Sequence, residues 1–142
     1  MNKIISRLSL AGITLLSLTS CNMGPAYKTL TFEAAISGKQ QVPENNSRGQ
    51  GNAKIVLDGD EVHATLTVNI KDLAGTAINS LLHNPSRPGS SSVAIVQLAG
   101  ETSQITLSSE QIKELRSGLM YINITSTKFQ AGELRGQFFE KL

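Results

Sequence analysis

The chain has 142 residues, of which 39% are hydrophobic and 17% charged, a composition typical of one globular domain rather than a disordered chain. Its formal net charge is +2, but two of its 13 basic residues, Lys3 and Arg7, lie in a segment that we expect to be removed. The other 11 basic residues balance the 11 acidic ones and form no basic cluster, which argues against nucleic-acid binding. With 4% aromatic residues and no Trp, the core must be built from Ile, Leu and Val.

The N-terminal segment has the features of an export signal. Lys3 and Arg7 form a positive start, and residues 8–18 are an apolar stretch too short to remain as a membrane-spanning helix. The stretch ends in Leu18-Thr19-Ser20-Cys21, which resembles the lipobox of bacterial lipoproteins. We therefore predict a signal peptide at 1–20, lipid attachment at Cys21, a tether at 21–28 and a folded domain at 29–142.

Lipid on Cys21 predicts a protein anchored to a membrane of the bacterial cell envelope. Asn22 follows the cysteine, and the absence of Asp there favours the outer membrane or the cell surface over the inner membrane. Cys21 is the single cysteine, so an internal disulfide is excluded.

From Thr29 onward the pattern predicts short β-strands. The clearest pair is 53–57 and 62–70, separated by Asp58-Gly59-Asp60-Glu61, a hairpin signal in which Gly59 is expected to supply the positive φ. In the second strand, apolar residues alternate with polar ones, which predicts one buried and one solvent-facing side. Further strands are predicted at 29–37, 77–82, 93–98, 104–107, 119–126 and 133–139.

One helix is predicted after Ser108. Ser108 and Gln111 stand in capping-box register, Ile112 and Leu115 form an apolar stripe, and Gly118 ends the helix. Short strands at this spacing predict an all-β fold, an antiparallel Greek-key β-sandwich of immunoglobulin-like or superoxide-dismutase-like type with one short helix.

Several segments resemble the chordin-type (CHRD) domain family. Residues 38–43, Gly-Lys-Gln-Gln-Val-Pro, are similar to its "SGxQEVP" opening, and residues 118–124 and 132–137 are similar to its "GLYVNVHT…GGEIRGQ" ending. Residues 73–98 and 108–117 take the places of its "LTG…AHIHxG…GPVVxxL" and "LTxxQxxxLxxG" segments. The resemblance covers residues 31–139 and implies an extracellular β-sandwich with no general enzymatic activity.

The family's histidines, two in "HIH" and one in "VHT", have invited comparison with copper–zinc superoxide dismutases. In this chain Leu81 and Thr125 occupy two of those positions, and His83 alone remains. A single imidazole does not make a transition-metal site, so we expect weak or no metal binding and no cofactor. His63 is expected on the solvent-facing side of its strand, and no sequence feature places it near His83. Asp58 and Asp60 supply too few oxygens for a calcium site.

Glu133, Arg135 and Gln137 share one face of the last strand. They are either a small polar ligand surface or, the interpretation we favour, an ion pair or backbone anchor that holds the strand, with Gly132 and Gly136 serving backbone geometry. We find no catalytic triad, nucleophile elbow or phosphate loop. The sequence therefore predicts a non-enzymatic structural or binding module that acts through loops 38–51 and 83–92. The alternatives are a degenerate metal-binding, dismutase-like protein and, by analogy with chordin alone, a protein inhibitor or growth-factor-like binder.

Overall fold

The computed structural model describes residues 28–83 and 85–142, so the predicted signal peptide and lipidation at Cys21 lie outside the described residues. The described chain is almost entirely β-structure, as predicted, with one short α-helix. The elements are β1 (Leu30–Ser37), a 3₁₀ turn (Gly38–Gln40), β2 (Gln50–Leu57), β3 (His63–Lys71), β4 (Ala77–His83), β5 (Ala94–Gln97), β6 (Thr102–Thr106), α1 (Ser109–Arg116), β7 (Tyr121–Ser126), β8 (Leu134–Gln137) and β9 (Phe139–Glu140).

All strand pairs are antiparallel, and the strand order is β5-β4-β7-β8-β1-β2-β3-β6, with β9 beside β1. β8 and β1 are paired at Ser37 and Arg135 alone. The sheet therefore has two halves, β5-β4-β7-β8 and β1-β2-β3-β6. The pairing of β3 with β6 and of β4 with β7, across connections that pass from one half to the other, gives the Greek-key character.

The two halves enclose one hydrophobic core. Ala64, Leu66 and Val68 on β3 are buried, which confirms the period-two pattern, whereas Val62 lies before the strand and is 40% exposed. The opposite half contributes Leu82, Ile122, Ile124 and Leu134 to the same cluster. Phe138, between β8 and β9, is fully buried where the chain passes from one half to the other.

The β2–β3 turn differs from the prediction in one detail. The positive φ of this turn falls on Glu61, at 54°, and Gly59 is not among the residues with positive φ. The reason is that the Asp60 carboxylate organises the turn, since its Oδ1 accepts hydrogen bonds from the backbone N–H groups of Val62 (2.9 Å) and His63 (3.0 Å). The chain must therefore reverse at Glu61, just before β3 begins.

Helix α1 begins as predicted. Gln111 N–H donates to Ser108 Oγ (3.2 Å), and Ser108 N–H donates to Gln111 Oε1 (2.8 Å), which completes the capping box. Ile112 and Leu115 are buried, and Gly118, at φ 68°, follows the end of the helix. Within the described residues, no helix is both long and apolar enough to cross a membrane.

Replacing the cap removes one acceptor from a helix of eight residues. We expect Ser108→Ala to lower the free energy of unfolding by about 1 kcal/mol, measured by urea unfolding of the purified protein. Ser109→Ala, one residue later on an equally exposed site, is the matched control and should leave stability within about 0.5 kcal/mol of the parent. Equal losses in both variants would contradict the capping role.

Candidate functional site

The connection between β4 and β5 covers the outer face of the second half of the sheet. Tyr121, Arg135 and Gln137 alternate with core residues and would face solvent on an open sheet. They are nevertheless only 2–4% exposed, and His83 at the end of β4 is 8% exposed. Loop residues 85–93 cover these side chains and form hydrogen bonds with them, which accounts for the low exposure.

Four side chains hold this loop by its backbone. Gln137 Nε2 donates to Ser86 O (2.8 Å), and the Arg135 guanidinium donates to Ser90 O and to Arg87 O (3.4 Å). His83 Nδ1 bonds to Ser92 O (2.9 Å), and Ser92 N–H donates to the Tyr121 hydroxyl (3.0 Å). We call His83, Tyr121, Arg135 and Gln137 the clasp. Since the clasp binds backbone groups, the loop is fixed while most of its own side chains remain exposed.

The Tyr121 ring lies at the centre of the clasp. β7 lies between β4 and β8, so His83 and Arg135 approach the ring from the strands on either side. The His83 and Tyr121 rings are stacked, with centroids 4.6 Å apart and planes 18° apart, and Arg135 Cζ lies 3.7 Å from the Tyr121 centroid. A guanidinium at this distance from an aromatic face gains cation–π stabilisation, which is larger in a desolvated site.

Arg135 is a buried cation without a carboxylate partner. None of the ion pairs of the described residues includes it, and its partners are backbone carbonyls and Gln137 Oε1 (3.3 Å). Burial lowers the pKa of Arg135, yet a guanidinium starts so far above neutrality that it stays protonated. The carbonyl dipoles and the ring face therefore solvate a permanent charge.

His83 is held neutral in the same surroundings. Burial is the main effect that lowers its pKa, the Arg135 charge adds to it, and the bond to Ser92 O opposes it in part. A carbonyl oxygen only accepts hydrogen bonds, so Nδ1 carries the proton in the neutral ring. Nε2 is buried and has no hydrogen-bond partner among residues 28–83 and 85–142.

Glu133 anchors two other loops. Its Oε1 accepts hydrogen bonds from Ser47 Oγ (2.6 Å) and from the N–H of Ala74 (2.6 Å). Burial raises the pKa of this carboxyl, but the bonds from Ala74, Ser126 and Ser47 outweigh it and leave the pKa below its ordinary value. Glu133 and Arg135 make no ion pair with each other, so the anchor interpretation holds and the ion-pair interpretation is wrong.

The opening motif is bound to the closing motif. Asn45 Nδ2 donates to the carbonyls of Gly132 (3.3 Å) and Glu133 (2.9 Å), and Gln41 Nε2 donates to Asn123 Oδ1 (2.7 Å). Gly132 has φ 143°, and a Cβ there would lie 2.5 Å from Asn123 Oδ1, so only glycine fits. Gly136 likewise lies under β1, where a Cβ would come within 2.7 Å of Ala35 O.

The positions of the family's histidines do not form a metal site here. In the β4–β7 register, Leu81 faces Asn123, His83 faces Tyr121, and Thr125 faces Asn79, whose N–H donates to Thr125 Oγ1 (3.2 Å). Leucine supplies no ligand atom, and threonine supplies only a weak one that is already in use. Across residues 28–83 and 85–142, no group of three or more His, Cys, Asp or Glu side chains is arranged to hold a metal.

His63 lies apart from the clasp, on the exposed β2–β3 turn. Its Nδ1 lies 2.5 Å from Asp60 Oδ2, and this contact raises the pKa of His63 and lowers that of Asp60 to about 2. Asp60 is thus engaged with His63 and with the turn backbone, not with Asp58 in a calcium site.

The model of the CHRD domain family matches residues 32–138 of the chain. The chain belongs to the CHRD domain family. No curated protein and no solved structure matches it. The clasp residues Arg135 and Gln137 and the anchor Glu133 all fall in the closing motif of this CHRD domain, which gives that motif a structural meaning.

Sequence reasoning identified His83, Glu133, Arg135 and Gln137 as candidate residues. It missed Tyr121, and it did not show that these side chains hold the backbone of loops. Two signals were present. A connection with Pro85, Pro88 and Gly89 is long for a hairpin and needs fastening, and polar side chains recur at the outward positions of β7 and β8. For the last strand this signal predicts an ion pair or backbone anchor, but the sequence alone does not show which segment is anchored.

Exchanging the arginine tests the clasp. We expect Arg135→Lys to lower the free energy of unfolding by about 1–3 kcal/mol, because an ammonium cannot stack on Tyr121 and reach both loop carbonyls from one plane. Arg87→Lys is the matched control, since the Arg87 side chain is exposed and only its carbonyl is used. Urea unfolding measures both, and an unchanged midpoint for Arg135→Lys would refute the role of the guanidinium.

Proposed function

We propose that this protein is a non-enzymatic, lipid-anchored binding protein of the cell envelope, and that its CHRD domain presents loop 85–93 as the contact surface. The observation that carries the proposal is the clasp, which holds the loop backbone through buried side chains and leaves the loop's own side chains in solvent. Family membership supports a binding or structural domain.

The exposure of the loop supports a contact role. Arg87, Pro88 and Ser91 are exposed, and Val93, 77% exposed, adds an apolar side chain to the same surface. A loop that is ordered before binding loses less conformational entropy in a complex, so more of its contact energy contributes to affinity. A backbone held in this way is suited to selective binding.

Loop 41–49 is the second candidate contact surface. Asn45 and Ser47 tie it to Gly132 and Glu133, while Val42 and Arg48 stay exposed. β1 begins at Leu30, at the end of the sheet opposite Ser37, and the two ends are about 23 Å apart at the rise of an extended strand. On an N-terminally anchored protein, loop 41–49 would therefore lie on the side away from the membrane.

The lipid anchor has its own test. We expect the protein produced in its native cells to incorporate a labelled fatty acid and to partition into the detergent phase of Triton X-114. Cys21→Ser should abolish both, since the thiol is the site of attachment. The protein would not be a lipoprotein if the parent chain remained in the aqueous phase without label.

The contact surface is tested by site-specific photocrosslinking in intact cells. A photoreactive residue at Ser91 should give a discrete adduct, and one at Lys54, on the exposed outer face of the other half, should not. Arg135→Lys should reduce the Ser91 adduct when the adduct is expressed relative to the amount of protein present, because this variant also lowers stability. Identical adducts from both positions, or none from Ser91, would refute loop 85–93 as the contact surface.

A further inference from the structure

The clasp contains one group whose ordinary pKa lies close to neutral pH, the imidazole of His83, and its surroundings favour the neutral form. Neutral His83 uses Nδ1–H for Ser92 O, and its bare Nε2 needs no acceptor. Protonation adds an N–H at Nε2, where none of the described residues offers an acceptor within hydrogen-bond distance. The same proton also places a second positive charge beside the Tyr121 ring that already carries Arg135.

No acidic group offsets that charge. From β7, His83 faces the Tyr121 hydroxyl (3.1 Å), from β8 it faces the Arg135 guanidinium, and from the loop it faces the Ser92 carbonyl. β5, which pairs with the end of β4, contains no ionisable residue. In the described residues the nearby ionisable groups are thus a permanent cation and a phenol, and neither is a carboxylate that could pair with an imidazolium.

The loop has few other attachments. Besides the clasp, the backbone bond from Ser86 N–H to Leu119 O (2.8 Å) is the one that joins the loop to the rest of the described chain. Displacement of the His83 ring removes the bond to Ser92 O and disturbs the stack that positions Tyr121. The end of the loop nearest β5 therefore depends on a neutral His83.

We propose that His83 makes loop 85–93 an acid-sensitive binding surface, closed when His83 is neutral and released when it is protonated. As a regulation of the binding loop, this rests on the function proposed above. The sign follows from linkage. The pKa of His83 is lowered in the closed loop, so the closed form binds fewer protons than the open form. Closure is complete above the ordinary value of 6.5 and weakens as the pH falls below it.

Amide hydrogen exchange read by NMR tests the release without any partner, on the purified full-length protein in detergent micelles. The reporter is Ser92 N–H, which donates to the Tyr121 hydroxyl, with its exchange rate expressed relative to the intrinsic rate at the same pH. Between about pH 7.5 and about pH 5 we expect its protection to fall several-fold, because the closed form binds fewer protons than the open form. Leu107 N–H, bonded to Val62 O in the other half of the sheet, should keep its protection.

Two variants assign the effect to one histidine. His83→Asn keeps a donor for Ser92 O but cannot be protonated, so loop protection should become independent of pH. His63→Asn removes the other histidine, which is exposed and has the opposite pKa shift, and should leave the loop's pH dependence unchanged.

The proposal is overturned if loop protection in the parent is the same at both pH values, or if His83→Asn retains the pH dependence. Should His83→Asn fail to fold, the imidazole titration of His83 in the parent decides, since its midpoint must lie below 6.5 and coincide with loop release. Binding is not measured in this experiment. Failure here would leave the binding function standing, and absence of a crosslinked partner would leave the acid release standing.

Discussion

This domain is organised around Arg135, a buried arginine that makes no ion pair with any carboxylate of the described residues. Arg135 is 2% exposed and permanently charged, so it must be solvated from within the protein. The loop carbonyls of Arg87 and Ser90 and the face of Tyr121 supply that solvation. The loop must stay over β8 for the charge to be tolerated, and the charge in turn holds the loop there.

The same residue stands at the joint between the two halves of the sheet, because Arg135 faces Ser37 in the pairing of β8 with β1. The neighbouring outward positions of the closing segment, Glu133 and Gln137, also bind loop backbone. β8 and the residue before it therefore organise three connections with three polar side chains at alternate positions. A neutral hydrophobic face would pack as well, but it would not place the loops, since backbone groups of loops need hydrogen-bond partners.

Much of the fold was predictable because its signals are local. The alternation of Ala64, Leu66 and Val68 and the Ser108–Gln111 capping box report directly on burial and on helix initiation. The site was predictable only in its members. Whether Arg135 pairs with Glu133 or with a loop depends on the position of loop 85–93, about 45 residues earlier in the chain. A hydrophobic pattern along the sequence carries no information about that position. Burial of the outward face of β7 and β8 was missed for the same reason.

In this domain, different groups fix the loop and are available for binding: the clasp fixes the loop backbone, and the loop side chains remain free for contact with a partner. Each of its bonds to the loop ends on a main-chain group, and every non-proline residue carries that carbonyl and amide whatever its side chain. Loop side chains can therefore be substituted without loss of the hydrogen bonds to the clasp, provided that the backbone conformation at Ser86, Ser90 and Ser92 is kept. The clasp residues cannot change in the same way, since each supplies a donor, a charge or a ring that the backbone does not. A domain built in this manner can present different surfaces from one framework, which is the property expected of a binding module and is not required of a purely structural one.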